Sequence, residues 1–412
     1  MKRRGGPTVR GRVFAPTVYA DRRRRLMAAI SARYRPMPLL VLGSTAANRE
    51  DGSTPIPSQA RQDAWFDWAC GCHEPDAALL IAADGRASLF LPPCDERRIL
   101  WEGPALGPGP EAARAFAVAA CHPIRELRQR CRDAAARQAG HLAVLASAGG
   151  GQAGAACRWR SRLRDLRITD ASQAAIPLRM VKGPEEIAAH RRAVQRSART
   201  LHCVIARLAT MDSEAAVAAA LVNGYIGADA APLAFTPIVA SGANAAVLHY
   251  PHNDQPLPRR GPVLIDSGAT WGGYCADITR TLPRHGRFDE PRLRELYALV
   301  LRSQQLATRH ARPGITLREL DDIAWQPIIA AGFAKRHGIG HHIGLDVHDC
   351  CDRNLPLAPG MLISNEPGIY LPEESIGIRI EDDLLITTSG CEVTTRAVPK
   401  SIAAIEKRMQ GG

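Results

Sequence analysis

The chain has 412 residues, 46% hydrophobic and 23% charged, and its 53 Lys and Arg against 41 Asp and Glu give a net charge of +12. That length exceeds what one hydrophobic core usually serves and predicts two domains, while the composition excludes a disordered or collagen-like chain. No apolar run is long enough to cross a membrane, and the basic start MKRRGGPTVRGR leads into no apolar segment of a signal peptide, so a cytoplasmic protein without membrane attachment is expected.

The eleven cysteines are odd in number and scattered, with no CxxC pair and with Cys350 and Cys351 adjacent. This pattern points to free thiols in a reducing compartment rather than to a disulfide framework or a zinc ribbon. Residues 1–180 carry 28 Lys and Arg against 16 Asp and Glu, whereas residues 181–412 carry 25 of each. The asymmetry places a domain boundary near residue 180. A basic half could bind nucleic acid, but no zinc finger or RNA-binding motif accompanies it, and nucleic acid is not an expected partner. The run Asp21-Arg22-Arg23-Arg24-Arg25 reads instead as a solvated helix face.

Taken in order, residues 1–20 read as a flexible extension. A helix follows from about Asp21, and 38–42 is a buried strand. Residues 48–62 are polar and rich in turn formers, and Trp65-Phe66-Asp67-Trp68 clusters aromatics in a chain that has few. Residues 77–82 and 87–91 pair around Asp84-Gly85. Helical patterns follow Glu111 and span 124–136, and 149–154 is a glycine-rich break. This alternation predicts an α/β unit without a visible catalytic cluster.

Gly183-Pro184-Glu185-Glu186 opens a helix running to about Leu208, and a second helix follows Asp212-Ser213-Glu214. Residues 290–310 and 316–331 are helical, residues 337–386 form mostly short strands, and a last helix lies near 401–409. The second half is therefore α+β, with helices over a mostly antiparallel sheet. Within it, GPVLIDSGATWGGYCADITRTLP (261–283) reads as a hairpin. A turn centred on Trp271-Gly272 sets Asp266 opposite Asp277. Facing carboxylates need a cation or a shared proton. The hairpin alone is equally compatible with a looser loop that holds both in water.

Three further stretches carry unusual polar residues: HGIGHHIGLDVH (337–348), ISNEPGIY (363–370) and GIRIEDD (377–383). The glycines of the first make a helical zinc pair improbable and favour a loop entering a strand. Strand alternation sets Arg379, Glu381 and Asp383 on one face of the third. Four histidines within the twelve residues of the first seldom arise just to fill a surface, although any single one is more often structural than a ligand. Taken singly, the second reads as a solvated strand end and the third as a salt-bridged sheet face. Together, Asp266, Asp277, His341, Glu366 and Glu381 give four carboxylates and one imidazole on the strands of one domain. Such an oxygen-rich set suits Mn²⁺ or Mg²⁺ better than structural zinc, and its charge matches two divalent ions holding a water between them.

From about Met180 onward the chain resembles the pita-bread peptidases, the family of methionine aminopeptidase, prolidase and aminopeptidase P. The resemblance implies an α/β N-terminal domain at 1–175 followed by a pita-bread catalytic domain at 176–412. It implies Asp266 and Asp277 as metal ligands in DSGATWGGYCADITRT, His341 in HGIGHHIGLDVHD, Glu366 in NEPGIY and Glu381 in GIRIEDD. His341 rather than His342 fits, because the family's ligand lies seven residues before the histidine of DVH, here His348. VLHYPHND resembles the segment that gives the proline-specific branch His249. More weakly, RQDAWFDWACGCHEPDAALLI, with Arg61, Gln62, Phe66, Gly71, Glu74 and Pro75, resembles the first domain of aminopeptidase P.

The resemblance further implies two divalent ions, manganese foremost and zinc, cobalt or magnesium as alternatives, bridged by Asp277 and Glu381. His249 and His348 are then hydrogen-bond donors to the substrate and oxyanion, Glu366 a proton shuttle, Arg379 a partner for a ligand carboxylate, and His337 a substrate contact at the pocket rim. The implied activity is Xaa-Pro aminopeptidase, acting on peptides with proline second, with Xaa-Pro dipeptidase (prolidase) as the alternative. Stretch 313–337 is shorter than in the usual aminopeptidase P, which keeps that alternative open. A non-catalytic binding module is disfavoured because all five ligands are present. Relatives imply a homodimer or homotetramer.

Overall fold

The computed structural model describes residues 13–44, 61–145, 159, 161–227 and 233–410. Residues 1–12 of the expected extension, most of the polar stretch 48–62 and the glycine-rich stretch 149–154 lie outside them. The chain divides into two compact units, 1–178 and 179–412.

The first unit is built on a six-stranded mixed sheet. Strands β1 (Leu39–Leu42), β2 (Ala78–Ile81), β3 (Ala87–Leu91), β4 (Ala120–Pro123), β5 (His141–Val144) and β6 (Arg167–Asp170) lie in the order β4-β3-β2-β1-β5-β6. The pairs β1–β2 and β2–β3 are antiparallel and the other three parallel. Leu40, Leu80, Phe90, Leu127 and Leu142 form a core on one face, each large apolar side chain contributing about 1.5–3 kcal/mol by burial.

The N-terminal helix, Pro16–Arg33, begins five residues earlier than expected, because Pro16 supplies a preset φ in the first turn. Two of its four consecutive arginines are not solvated. Arg22 and Arg23 are buried, donating to the carbonyls of Trp68 (3.2 Å) and Ala69 (3.0 Å). Those carbonyls end the aromatic helix Ala64–Cys70, where the last turn leaves acceptors unsatisfied and favours a cation.

In the second unit every strand pairing among the described residues is antiparallel. β7 (Ile238–Ser241), β8 (Pro262–Ser267) and β11 (Ile278–Pro283) form one sheet, with the short hairpin β9 (Thr270–Trp271) and β10 (Tyr274–Cys275) at its end. β12 (Leu362–Asn365), β15 (Asp382–Ile386) and β16 (Cys391–Val393) form another, and β13 (Gly368–Leu371) pairs with β14 (Ile376–Arg379). Helices Pro184–Arg207, Glu214–Ile226, Pro291–His310 and Leu317–Ala330 contribute to a shared core with these strands, through residues such as Leu201, Leu221, Leu296 and Trp325 against Ile265, Ile278 and Ile378. Two of these starts are capped as the sequence suggests: Glu186 accepts from the Gly183 amide at 2.8 Å, and Thr316 and Glu319 form a reciprocal capping box.

Candidate active site

The hairpin differs from its expected register. Thr279, not Asp277, lies opposite Asp266, and Trp271 pairs with Tyr274. The turn is therefore Gly272-Gly273, with φ of +57° and +84°. Two successive left-handed residues make the tight turn that matches strand twist, and glycine adopts them without strain where Trp271 would not. Asp277 becomes a diagonal neighbour of Asp266 on the same sheet face. Gly268 permits the bend between them, since a Cβ there would stand 1.8 Å from the Ala276 carbonyl oxygen.

All nine residues singled out in the sequence line one cavity of about 980 Å³: His249, Asp266, Asp277, His337, His341, His348, Glu366, Arg379 and Glu381. Nε2 of His341 stands 3.5 Å from Oδ2 of Asp277 and 3.4 Å from Oε1 of Glu366. Donor atoms of Asp277, His341 and Glu381 lie within 4.8 Å of one another. Nδ1 of His341 meets the His342 carbonyl at 3.1 Å. A carbonyl only accepts, so Nδ1 holds a proton, and Nε2 is the nitrogen left facing the carboxylates, with a lone pair to offer a cation whenever the ring carries a single proton.

The carboxylates are pinned from behind. Thr279 Oγ1 donates to Glu381 Oε2 at 2.6 Å, Arg379 Nη2 to Asp266 Oδ2 at 2.7 Å, and Ser364 Oγ to Glu366 Oε1 at 3.2 Å. Oδ1 of Asp266 and Oδ1 of Asp277 are buried with no hydrogen-bond partner among the described residues. Burial first, then the neighbouring carboxylates, pushes Asp277 and Glu381 well above the usual carboxylate range. Orphaned buried oxygens, crowded carboxylates and an imidazole lone pair all favour a cation at one place, and these donors fit hard divalent ions.

The remaining histidines surround this cluster. The His348 ring lies 3.9 Å from that of His341 and 6.5 Å from that of His249. Burial, then the adjacent His341 and His249, push His348 down to about 4, so its ring is neutral at pH 7 and keeps one N–H to donate. His337 bonds the Tyr370 hydroxyl through Nε2 at 2.9 Å and the Gly338 carbonyl through Nδ1 at 2.8 Å. His342, next to His341, is buried away from the cavity.

One sequence expectation fails in part. Arg379 and Glu381 line the cavity, but the strand breaks between β14 and β15, so Asp383 accepts from the Asp277 amide at 3.1 Å instead. Sequence reasoning also missed Tyr370, Thr279 and Arg353. Tyr370 bonds both His337 and Arg379, and Arg353 lines the cavity while donating to the Gly340 carbonyl at 3.0 Å. A correctly placed hairpin turn would have set Thr279 against Asp266.

Residues 188–388 match the model of metallopeptidase family M24, and residues 19–143 match that of the aminopeptidase P N-terminal domain. An Xaa-Pro aminopeptidase of Haemophilus influenzae is 32% identical, over 95% of this chain and 96% of its own. The chain belongs to metallopeptidase family M24. A second relative of this M24 chain, "Intermediate cleaving peptidase 55, mitochondrial" of Arabidopsis thaliana, is 30% identical over 85% of this chain and 75% of its own. Aminopeptidase P of E. coli, solved with the inhibitor Pro-Leu, superposes with a TM-score of 0.83 at 26% identity, covering 97% of this chain and 99% of that one. The M24 protein is thus a metallo-exopeptidase, with an α/β aminopeptidase P N-terminal domain ahead of its α+β catalytic domain. No helix among the described residues is long and apolar enough to cross a membrane.

Proposed function

We propose that this M24 peptidase is an Xaa-Pro aminopeptidase, releasing the first residue of peptides whose second residue is proline. The observation that carries the reading is Nε2 of His341 set among carboxylates, two of whose buried oxygens have no donor among the described residues. Asp266, Asp277, His341, Glu366 and Glu381 would hold two divalent ions, manganese foremost, with zinc, cobalt or magnesium as alternatives. Such ions supply Lewis acidity and make a water acidic enough to lose its proton near neutral pH.

The chain's own residues do the rest. Glu366 takes the proton of the attacking water and delivers it to the proline nitrogen, which as a tertiary amide has no hydrogen of its own. Neutral His348 donates its N–H to the oxygen that becomes negative, and His249 donates to the substrate backbone. Arg379 holds Asp266 and leaves its second oxygen for a cation. His337, fixed by Tyr370, contacts substrate at the rim.

The same reading takes residues 1–175 and 176–412 as the two domains and a homodimer or homotetramer as the working form. It also assigns a cytoplasmic location, supported by ten described cysteines that form no disulfide with one another. Arg353 on the cavity wall favours a second reading, the Xaa-Pro dipeptidase, because a free proline carboxylate needs a basic partner. Incubating the metal-loaded protein with Arg-Pro-Pro and with Arg-Pro separates the two. The aminopeptidase releases arginine from the tripeptide faster than from the dipeptide, whereas rapid dipeptide cleavage without tripeptide turnover assigns the dipeptidase.

A further inference from the structure

His249 stands midway along a loop that leaves β7 at Ser241 and returns at Gln255. Its ring is exposed, and neither ring nitrogen hydrogen-bonds to another described residue. Its nearest aromatic neighbour is His348, 6.5 Å away. Since nothing grips the ring, its place over the carboxylates depends on how the loop is anchored.

We infer that Glu214, outside the cavity, is a positioning residue that clamps both stems of this loop and so sets where His249 stands. Glu214 is fully buried at the first position of the helix Glu214–Ile226. Its Oε1 accepts from the Ser241 amide at 2.9 Å, the Ser241 hydroxyl at 2.8 Å and the Asn244 side-chain amide at 3.2 Å, all on the outgoing stem. Its Oε2 accepts from the Gln255 amide at 3.1 Å, and its own backbone N–H donates to the Gln255 carbonyl at 2.9 Å, both on the returning stem. These four donors are neutral groups, two of them backbone amides, and the Tyr250 hydroxyl, next in the chain to His249, also interacts with the Glu214 side chain.

The rest of the loop makes such a clamp effective. The Ala245 carbonyl packs so closely on Gly377 that a Cβ there would come within 1.7 Å, two residues from Arg379. Asn253 accepts from the Val239 amide at 2.7 Å and donates to the Pro237 carbonyl at 2.8 Å. These contacts keep the loop folded when the carboxylate is altered. Glu214→Gln has one oxygen left, so it can serve the outgoing stem or the returning one but not both, and its NH₂ meets a donor at the other.

The inference rests on His249 contacting substrate, and the test separates the two claims. Full-length, metal-loaded Glu214→Gln, His249→Ala and the double variant are compared on Arg-Pro-Pro, together with amide hydrogen exchange. Glu214→Gln should lower kcat about tenfold with KM within about twofold, and the double variant should be no slower than His249→Ala alone, as expected when one residue acts through the other. Exchange across residues 242–254 should rise about tenfold while β8 and β11 are unchanged. Losses that multiply in the double variant, or unaltered exchange across 242–254, overturn the clamp. If His249→Ala keeps the full rate, the role given to His249 fails, and the exchange result alone then decides on the clamp. Should Glu214→Gln not fold, Ser241→Ala, which removes one donor, must show the same non-additivity on a smaller scale.

Discussion

Nη2 of Arg379 donates to Oδ2 of Asp266 at 2.7 Å, joining strands of two separate sheets beneath the carboxylate cluster. The same guanidinium reaches Thr279 Oγ1 through Nε and the Tyr370 hydroxyl through Nη1, both at 3.2 Å. A planar fork with three bonds in three directions fixes Asp266 by one oxygen and leaves the other without a donor among the described residues. Arg379→Lys keeps the charge but not the fork. It should weaken metal binding about 10–100-fold, as loss of a ligand's hydrogen-bond partner typically does. Competition with a chelator of known affinity measures this, and wild-type affinity in the variant would refute the role.

The histidines divide by what they contact. His348→Ala and His249→Ala should keep their metal and lose rate by about 10²–10³, the usual effect of removing an oxyanion donor. His341→Ala should lower metal occupancy, because its Nε2 is the nitrogen facing Asp277 and Glu366. His342→Ala should leave occupancy unchanged. Metal analysis of the four purified variants beside their turnover is the check, and depletion in His342→Ala alone would show the register to be wrong by one residue.

Asp349, directly after His348, gives a prediction of stability against pH. Its carboxylate is buried between Lys182, 3.0 Å from Oδ2, and Arg179 on Oδ1. Burial acts to raise its pKa, but the two cations outweigh burial and hold it below the ordinary value of 3.8. A folded pKa below the unfolded one gives stability that is complete above 3.8 and lost as pH falls through the folded value. Asp349→Asn, which leaves buried cations short of a counter-charge, should cost about 3–5 kcal/mol near neutral pH. In denaturant unfolding the gap from wild type should stay level down to about pH 4 and narrow below it. A gap that widens on acidification would contradict the assignment.

Much of the site was legible because its residues break local rules. Carboxylates in apolar strands and four histidines within twelve glycine-rich residues are costly unless they serve a shared purpose. Residue type and order thus brought Asp266, Asp277, His341, Glu366 and Glu381 together without a structure. Details set by backbone geometry were harder to read. The hairpin centre moved one residue because two glycines accept left-handed φ, and that shift alone decides whether Thr279 or Asp277 faces Asp266. Asp383 left the expected face because the chain turns between β14 and β15. Arg22 and Arg23 read as solvated because the carbonyls they cap lie 46 residues away in sequence. Tyr370 and Glu214 carry no local signal either, since a lone tyrosine and a helix-start glutamate are common and only tertiary contacts reveal their partners.

The most direct test of the account is the metal content of the protein, loaded with Mn²⁺ and freed of excess ion, measured beside its peptidase activity. Two ions per chain are expected, with activity abolished by chelation and restored by Mn²⁺ while the folded state persists. Asp277→Asn and Glu381→Gln, altering the buried carboxylates beside His341, should lose more metal than Asp266→Asn. Full activity in protein holding only a trace of metal would contradict the account.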